Sequence, residues 1–291
     1  MAIGKDRARK RAAGSIFALL ALAVAWASFA NPREYVPLQV TTAVGETGAS
    51  PHLDQCYPSI NNRGEIVYAS FDEQRGTSLI STRRGELAGP DFGIEHPDIN
   101  RLGEVVWTNI VGPGGRRTFS TTRGEIGFGE HPVISGNGLV ATFTARAEGN
   151  LRLYSKDGTF VLLPLLGSLE YPVHVRNTGE VFYQALDAAL ISQLWSTKRG
   201  AMTHFAVPTA QDFAVNNRGE FVYAGVGNLR NMLFASDGTI LWEDRATWPD
   251  MNNHGDIVFC EILCCEHGAH TQVLLLTRRP GAFRKDGFMR R

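Results

Sequence analysis

One short phrase occurs six times in this chain of 291 residues. The first copy is "PSINNRGEIVYAS", and the others are "PDINRLGEVVWTN", "PVISGNGLVATFT", "VHVRNTGEVFYQA", "FAVNNRGEFVYAG" and "PDMNNHGDIVFCE". Aligned on their glycine, the copies are separated by 39, 35, 41, 40 and 36 residues; the glycines are Gly64, Gly103, Gly138, Gly179, Gly219 and Gly255. A tandem period of this length with strand-like content is typical of the blades of a β-propeller.

Each repeat contains a second glycine turn, about 20 residues after the first in all but the last copy, at Gly85, Gly124, Gly158, Gly200, Gly238 and Gly281. Two glycine turns flanked by apolar β-formers make two hairpins, and hence four short antiparallel strands. The alternative is a β-solenoid with coils of half this period, but the two turns have different flanking sequences and the chemistry of hairpins. The sequence therefore predicts an all-β fold, with a single six-bladed propeller of four-stranded blades over residues 31–291.

The repeated phrase has the chemistry of a turn. Four copies carry a leading asparagine, at Asn61, Asn100, Asn216 and Asn252, whereas Ser135 and Arg176 replace it in the others. Asparagine can hydrogen-bond its own turn backbone, and the glycine can take the left-handed conformation that ends a type I turn with a bulge. The residue after the glycine is acidic except at Leu139; the acidic residues are Glu65, Glu104, Glu180, Glu220 and Asp256. Because catalytic acids are rarely repeated in every unit, these carboxylates are predicted to be solvated strand starts.

The recurring "INNxGEIVY" and the following "xSTxxGE" resemble the N-x-x-G tandem-repeat proteins exported by bacteria and, more distantly, TolB-type six-bladed propellers. The resemblance covers roughly Tyr35 to Phe283. It implies a periplasmic or cell-surface role in binding or as a scaffold, and it transfers no catalytic residue to this chain.

Residues 1–30 are predicted to be a secretory signal peptide. Five basic residues precede the apolar run "GSIFALLALAVAWA", and small-x-small cleavage sites follow at residues 25–27 and 28–30. The alternative is an uncleaved signal anchor, since the apolar stretch is at the short limit for spanning a bilayer. In both cases the rest of the chain is predicted to be exported, and to be periplasmic, on the cell surface or secreted.

The charge of the exported part argues against nucleic acid as a partner. Without residues 1–30 the chain has 24 basic and 28 acidic residues, a net charge of −4, and its one basic cluster is a short tail at 284–291. Proteins that bind phosphate backbones carry a concentrated basic surface. The expected partner is a protein or a cell-envelope ligand, bound by a monomer that touches a membrane only if the anchor is uncleaved.

The two faces of a propeller differ in this sequence. Both glycine turns of each repeat lie on one face, the turn face. The links between blades and the loops between second and third strands lie on the other, the loop face, and these loops vary: "FDEQRG", "NIVGPGGRR", "TARAEGN", "ALDAALISQ", "GVGNLRN" and "EILCCEHGAH". Variable loops on a constant scaffold are typical of binding sites. The sequence predicts a binding or scaffold module whose ligand lies on the loop face near the central channel.

No catalytic residue is predicted, because the sequence has no G-x-S-x-G, no H-E-x-x-H and no phosphate-binding glycine loop. The alternative function is a metal-assisted hydrolase or lyase at the channel mouth. Asp98, His174 and Asp250 occupy one equivalent inner-strand position and are candidate ligands for a divalent cation. No other cofactor is predicted.

Two histidines occur where other repeats have aromatic residues. His96 and His131 precede prolines, at the positions of Tyr57 and Trp248. This equivalence predicts flat packing groups at the start of the inner strand rather than ligands, since a solitary histidine needs a partner to be functional.

The four cysteines are Cys56, Cys260, Cys264 and Cys265. Export favours oxidation, and closing the ring would make the first and last blades neighbours. The sequence therefore predicts a disulfide from Cys56 to Cys264 or Cys265, whose loops lie on the same face. The alternative is a metal site in "CCEHGAH", with donors from Cys264, Cys265, His267 and His270 and from the nearby His52, Asp54 and Cys56.

The segment "YVPLQVTTAV", residues 35–44, has the pattern of an outermost strand without the rest of its blade. A propeller must join its last blade to its first, or terminal sheets expose their edges. This segment is predicted to pair with the blade of Gly255, alongside or in place of "GAFRKDGF".

Overall fold

The structure, a computed structural model, describes residues 35–40, 56–72, 75–91, 93–112, 115–144, 150–163, 168–186, 192–202, 210–227, 230–265 and 268–277. Residues 1–30 lie outside these ranges, so the signal peptide or anchor stays a prediction. Within the ranges, no helix is both long enough and apolar enough to cross a bilayer.

The strands of these ranges form six four-stranded antiparallel sheets. The first strand, β1 (Val36–Gln39), belongs to the last sheet. Blade 1 contains β2 (Ser59–Ile60), β3 (Ile66–Asp72), β4 (Gly76–Ser81) and β5 (Gly85–Asp91). Blade 2 contains β6 (Glu95–Ile99), β7 (Val105–Ile110), β8 (Arg116–Ser120) and β9 (Gly124–Phe128). Blade 3 contains β10 (Glu130–Ile134), β11 (Val140–Thr144), β12 (Asn150–Tyr154) and β13 (Phe160–Leu163). Blade 4 contains β14 (Ser168–Val175), β15 (Val181–Leu186), β16 (Ser192–Ser196) and β17 (Gly200–Ala201). Blade 5 contains β18 (Ala210–Val215), β19 (Phe221–Gly227), β20 (Arg230–Ala235) and β21 (Ile240–Trp242). Blade 6 contains β22 (Ala246–Met251), β23 (Ile257–Cys265) and β24 (Gly268–Thr277), together with β1.

The first strands of the six blades form a closed ring. Each of β2, β6, β10, β14, β18 and β22 contacts the next, and β22 contacts β2. The predicted six-bladed propeller is therefore confirmed. The second strands are buried because neighbouring blades pack face to face; in β7, both Val105 and Val106 are fully buried although they point to opposite faces.

The N-terminal strand completes the last blade. β1 pairs antiparallel with β24, from Val36 opposite Thr277 to Gln39 opposite Leu274. The amide of Val40 continues the ladder with a hydrogen bond of 2.9 Å to the carbonyl oxygen of Val273. The predicted closure is confirmed over residues 36–40, whereas "GAFRKDGF" and its Gly281 lie outside the described residues.

A disulfide fastens the first blade to the last. It joins Cys56, just before β2, to Cys260 in the middle of β23, across a sequence separation of 204 residues and a Cα–Cα distance of 6.2 Å. Both cysteines are buried in a cluster that includes Ile66 of blade 1 and Val258 of blade 6. A buried disulfide between elements is typical of proteins that fold in an oxidising compartment.

The predicted pairing of Cys56 with Cys264 or Cys265 is wrong. Cys264 and Cys265 lie at the far end of the β23–β24 hairpin, where they pair with Ala269 and Gly268. At about 3.3 Å per residue, four or five residues place them more than 13 Å along the strand from Cys260. The alternation of side chains along a strand predicts on which face of the sheet a cysteine lies. It does not predict how far the hairpin extends past the neighbouring blade.

The leading asparagine of the phrase organises its turn as predicted. The Asn61 Oδ1 atom accepts hydrogen bonds from the amides of Arg63 and Glu65, at 2.9 and 3.1 Å. The amide of Gly64, which has φ of +71°, donates to the Asn61 carbonyl oxygen at 3.0 Å. Matching side-chain bonds form at the other leading asparagines, Asn100, Asn216 and Asn252.

The prediction that the acidic residue after the glycine is solvated is wrong in three blades. In blade 4, Glu180 is only 5% exposed, and its Oε1 atom accepts hydrogen bonds from Ser196 at 2.6 Å and from Arg199 at 2.7 Å. The donors come from the second glycine turn of the same blade. The same arrangement occurs in blades 1 and 2, with Glu65, Ser81 and Arg84 and with Glu104, Ser120 and Arg123. We call each set a hairpin clamp.

In blades 2 and 4 the clamp favours the ionised form of its carboxylate. Burial would raise the pKa of Glu180, but hydrogen bonds from Arg199 and Ser196 outweigh it and hold the pKa below 4.5. The pKa of Glu104 is lowered in the same way, with burial opposed by hydrogen bonds from Ser120, Thr122 and Arg123. A carboxylate whose pKa is lower in the folded state stabilises the fold at neutral pH, and this contribution is lost as the pH falls through its folded pKa.

Replacing Glu180 with glutamine is therefore expected to lower the free energy of unfolding at pH 7 by about 1–3 kcal/mol, since a buried amide would face Arg199. Urea unfolding at pH 7 and pH 3.5 measures this effect, and the difference from the parent should shrink at pH 3.5. Glu220→Gln is the matched control, because the second turn of blade 5 has Ala235 and Asp237 where the clamp needs serine and arginine. Equal losses from both substitutions would contradict the clamp.

Candidate functional site

A cavity of about 300 Å³ opens at the loop-face mouth of the central channel. Its wall includes four ring side chains that lie within two residues of the start of an inner strand: Tyr57, His96, His131 and Trp248. We call these rings the aromatic arc and the cavity the aromatic cup. The loop face is where the sequence predicted a ligand, although the tips of its variable loops lie outside the described residues.

The aromatic arc is a continuous stack across four blades. The ring centroids of Trp248 and Tyr57 are 4.6 Å apart, those of Tyr57 and His96 are 3.7 Å apart, and those of His96 and His131 are 3.5 Å apart. Neighbouring rings are tilted by 40–50°, so the stack curves. The predicted packing role of the two histidines is correct, but their packing also builds the wall of a cavity.

All four residues of the arc have an unfavourable backbone conformation. Their φ angles are +34° at Tyr57, +48° at His96, +50° at His131 and +46° at Trp248. The left-handed region costs a non-glycine residue about 1–2 kcal/mol. In blades 2, 3 and 6 the ladder shifts register at this point, which is the sign of a β-bulge. Repeated bulges and positive φ angles beside a cavity are typical of functional sites, where they re-aim side chains.

Below the arc, two aspartates share one serine. The Ser59 hydroxyl lies 2.6 Å from the Asp98 Oδ1 atom and 2.8 Å from the Asp250 Oδ2 atom. Backbone amides of neighbouring blades also donate to these carboxyls: Ile60 to Asp250 at 2.8 Å, and Ile134 to Asp98 at 2.6 Å. The three side chains, which we call the acid bridge, thus connect blades 6, 1, 2 and 3.

The geometry of the acid bridge calls for an extra proton. Ser59 has one hydroxyl hydrogen, and its oxygen also accepts the amide of Ile99 at 3.3 Å. Both short contacts are hydrogen bonds only if one carboxyl is protonated, because two carboxylates would compete for one hydrogen. Burial, and then the charge of Asp250, raise the pKa of Asp98 to about 7, although hydrogen bonds from Ser59 and two amides oppose the rise.

Removing the Asp250 charge is expected to stabilise the protein increasingly as the pH rises from 5 to 8. Asp98 ionises near 3.8 when unfolded but near 7 when folded, so the folded state loses up to about 1.4 kcal/mol per pH unit between these values. In Asp250→Asn the amide oxygen can still accept from Ser59 and Ile60, and the pKa of Asp98 should fall.

Urea unfolding of the parent and of Asp250→Asn at pH 5, 6, 7 and 8 measures this difference. The two chains must be compared at each pH, because the buried histidines make both chains more stable as the pH rises and this trend opposes that of Asp98. Stability curves that run parallel over this pH range would contradict the shared proton.

The histidines of the cup are neutral at physiological pH. Burial, then His131 and Arg116, lower the pKa of His96 well below 6.5. Burial and then Arg116 lower the pKa of His131 to about 3. Arg116 itself is held by ion pairs with Glu130 and with Glu95, the latter at 3.4 Å.

The candidate metal ligands of the channel are not gathered into one site. No three histidine, cysteine, aspartate or glutamate side chains approach each other closely enough to hold a metal ion within the described ranges. Asp98 and Asp250 meet through Ser59, whereas the His174 Nε2 atom lies 3.1 Å from Asn217. The second candidate stays a prediction, because His267, His52 and Asp54 and the side chains of Cys264, Cys265 and His270 are not described.

The turn-face mouth of the channel is occupied by the protein's own hydrogen bonds. Its cavity is about 120 Å³ and is lined by asparagines of the glycine turns. Asn253 accepts the amide of Asn217 at 2.8 Å, Asn62 accepts that of Asn253 at 2.8 Å, and Asn177 accepts that of Asn137 at 3.0 Å. The asparagine after the leading position therefore links neighbouring turns, which leaves the aromatic cup as the better candidate site.

The sequence contains a signal for the cup that goes beyond the packing role predicted for the two histidines. The ring-and-proline pair occurs at Tyr57, His96, His131 and Trp248, whereas blade 5 has Asp212 at this position. The acid bridge was not predicted. The sequence predicts Asp98 and Asp250 as candidate ligands for a cation, but nothing in it indicates that Ser59 joins them.

Comparison with known proteins identifies the fold only. No protein-family model and no curated protein matches the sequence. A gluconolactonase structure from Xanthomonas campestris is similar with a TM-score of 0.52 and 9% identity, over 84% of this chain and 89% of that one. An oligogalacturonate lyase in complex with manganese has a TM-score of 0.47 and 13% identity over 80% and 76%; a streptogramin B lyase has 0.40 and 10% over 84% and 97%. At these identities the resemblance to exported N-x-x-G repeat proteins stays a prediction.

Proposed function

We propose that the protein is an exported binding module that holds a small ligand, or the end of a protein or glycan, in the aromatic cup. The observation that carries the proposal is the aromatic arc, in which four equivalent residues adopt a strained backbone and line one cavity. A strained conformation persists only where the surrounding structure enforces it, which is typical of functional sites. An apolar wall with a few convergent polar groups is the usual composition of a ligand pocket.

The remaining partner expectations belong to the same proposal. A monomer placed in the periplasm, on the cell surface or outside the cell would meet envelope proteins and glycans, and the Cys56–Cys260 disulfide supports an oxidising compartment. No lysine or arginine is among the described residues that line the cup, which argues against nucleic acid.

Saturation-transfer NMR against a panel of envelope fragments tests the proposal. The panel contains muropeptides, mono- and disaccharides, amino acids and small amines, with residues 31–291 as the protein. We expect at least one fragment to bind and to be recovered unchanged after prolonged incubation, and we expect Trp248→Ala to abolish its binding. If no fragment binds, or if binding survives in Trp248→Ala, the cup is not the ligand site.

Catalysis is the second candidate, because the acid bridge holds a carboxylic acid beside a carboxylate. Such a pair can serve as general acid and base in a hydrolase or lyase. The catalytic hypothesis would be favoured if the parent converted a bound fragment and Asp98→Asn bound the same fragment without converting it. A metal-assisted reaction would require bound metal, which elemental analysis of the purified protein would detect.

A further inference from the structure

The charged side chains among the described residues that line the aromatic cup have one sign. The described lining includes three carboxyl groups, Asp98, Asp212 and Asp250, and no lysine or arginine. His96 and His131 add no positive charge at neutral pH, because burial lowers the pKa of both. An anionic ligand would be repelled, whereas a cation would be attracted into a cavity with low-dielectric walls.

The wall of the cup suits a cation that has an apolar surface. Tryptophan and tyrosine faces attract ammonium groups through the ring quadrupole, with tryptophan the strongest, and Trp248 lies next to Tyr57 in the arc. Aromatic walls combined with carboxylates form the usual site for substituted ammonium ions. The volume of about 300 Å³ is at the lower end of the range for ligand pockets, which suits a small group.

A bare metal ion fits the same place less well. Calcium takes six to eight oxygen ligands, and magnesium requires a near-octahedral set. Both oxygens of Asp98 are already hydrogen-bonded, Oδ1 to the Ser59 hydroxyl and the Ile99 amide and Oδ2 to the Ile134 amide. The Asp250 Oδ2 atom is likewise hydrogen-bonded to the Ser59 hydroxyl and to the Ile60 amide. These carboxyls can attract a positive charge at longer range without providing a complete inner coordination shell.

We propose that the aromatic cup binds an organic ammonium group, with its apolar surface against Tyr57 and Trp248 and its charge facing Asp98 and Asp250. This inference rests on the proposed function and names the chemical class of the ligand. The group could be a small free amine or the terminus of a larger envelope component, and both present the same chemistry to the cup.

Binding of an ammonium ion should displace the shared proton of the acid bridge. The titratable and charged groups that line the two channel cavities together with Asp98 are Asp250, Asp212, His96, His131, His174 and Arg101. Arg116 lies close enough to His96 and His131 to lower the pKa of both. Burial lowers the pKa of His96 well below 6.5 and that of His131 to about 3, so neither histidine exchanges a proton between pH 6 and 8. Burial also lowers the pKa of His174. Burial and then the charge of Asp250 raise the pKa of Asp98 to about 7, so Asp98 can exchange a proton in this range. A cation should favour its ionised form, so affinity should rise with pH.

Isothermal titration of residues 31–291 with choline and with 3,3-dimethylbutan-1-ol, its neutral counterpart of the same shape, tests the proposal. We expect choline to bind at least tenfold more tightly than the alcohol. Between pH 6 and pH 8 its affinity should increase by up to about tenfold, because the ionised fraction of Asp98 rises by that factor. Titration in buffers of different ionisation enthalpy should show about 0.9 proton released at pH 6 and about 0.1 at pH 8.

Two variants at one position separate binding from folding. Trp248→Phe should retain part of the choline affinity and Trp248→Leu should lose it, while both keep the parent's circular dichroism spectrum. Equal binding of choline and the alcohol would overturn the ammonium proposal and leave a neutral-ligand site in place. The ammonium proposal would also be overturned if neither choline nor butylammonium bound detectably. It would be overturned as well if calcium or manganese released the proton and choline did not. The proposed function fails separately, if no member of the envelope panel binds.

Discussion

Replacing both Cys56 and Cys260 with alanine is expected to lower the free energy of unfolding by about 5 kcal/mol. The bond closes a segment of 204 residues, and the loop-entropy relation gives a value near 5 kcal/mol for a segment of this length. Both cysteines are buried where blade 1 meets blade 6, so the loss of the bond also removes packing at the junction that closes the ring. Among the described residues, no other covalent bond joins two residues so far apart in the sequence.

Urea unfolding of the oxidised chain measures this effect, and a Cys264→Ala/Cys265→Ala variant is the matched control. Its stability should remain within about 1 kcal/mol of the parent, as expected for substitutions outside the bond. Mass spectrometry of unreduced peptides should join the segment of Cys56 to that of Cys260. A bond from Cys56 to Cys264 or Cys265, or two double variants of equal stability, would contradict closure of the ring by the Cys56–Cys260 disulfide.

Removing residues 31–45 is expected to lower the melting temperature by about 10 °C or to prevent folding. The deletion takes away β1 and the hydrogen bonds that it exchanges with β24, each with a net contribution of about 1 kcal/mol. It also leaves β24 as an exposed edge, with Leu274 and Leu276 next to solvent. A loss of about 4 kcal/mol corresponds to roughly 10 °C for a domain of this size.

Thermal unfolding of chains that begin at residue 31 and at residue 46 measures the contribution of the closing strand. A synthetic peptide with the sequence of residues 31–45, added to the shorter chain, should restore part of the stability by pairing with β24. If the shorter chain melts with the parent, β1 is a dispensable extension and the ring is held without it.

The fold could be predicted because its determinants are local and repeated. The leading Asn61 bonds its own turn, and Gly64 supplies the positive φ angle that the turn requires. Six copies of this turn at one period specify the number of blades, and two turns per copy specify the number of strands. The closing strand was predictable because a blade with a missing strand leaves an edge that another segment must cover.

The hairpin clamp could not be predicted from the phrase alone, since its parts belong to two turns. Glu180 meets Ser196 and Arg199, which lie 16 and 19 residues later. A signal does exist in the sequence, because a serine and an arginine accompany the glutamate in blades 1, 2 and 4. In blade 3, Leu139 replaces the glutamate and Asp157 occupies the place of the arginine.

The aromatic cup was predicted as a place but not as a structure. The equivalence of His96 and Trp248 correctly indicated a repeated packing position. However, left-handed backbone at a histidine or tryptophan is contrary to the usual preference, so no rule of composition predicts it. The acid bridge depends on inner strands 39 and 191 residues apart meeting at Ser59. Only the closed ring brings those residues together.

The two mouths of the channel can be compared directly for binding. We would measure the affinity of the tightest-binding envelope fragment for two matched double variants, Tyr57→Ala/Trp248→Ala on the loop face and Asn177→Ala/Asn253→Ala on the turn face. Truncating two central aromatic contacts should weaken binding by about 30-fold or more, and the turn-face variant should stay within about twofold of the parent. A turn-face variant that loses binding while the loop-face variant keeps it would contradict the assignment of the aromatic cup as the functional site.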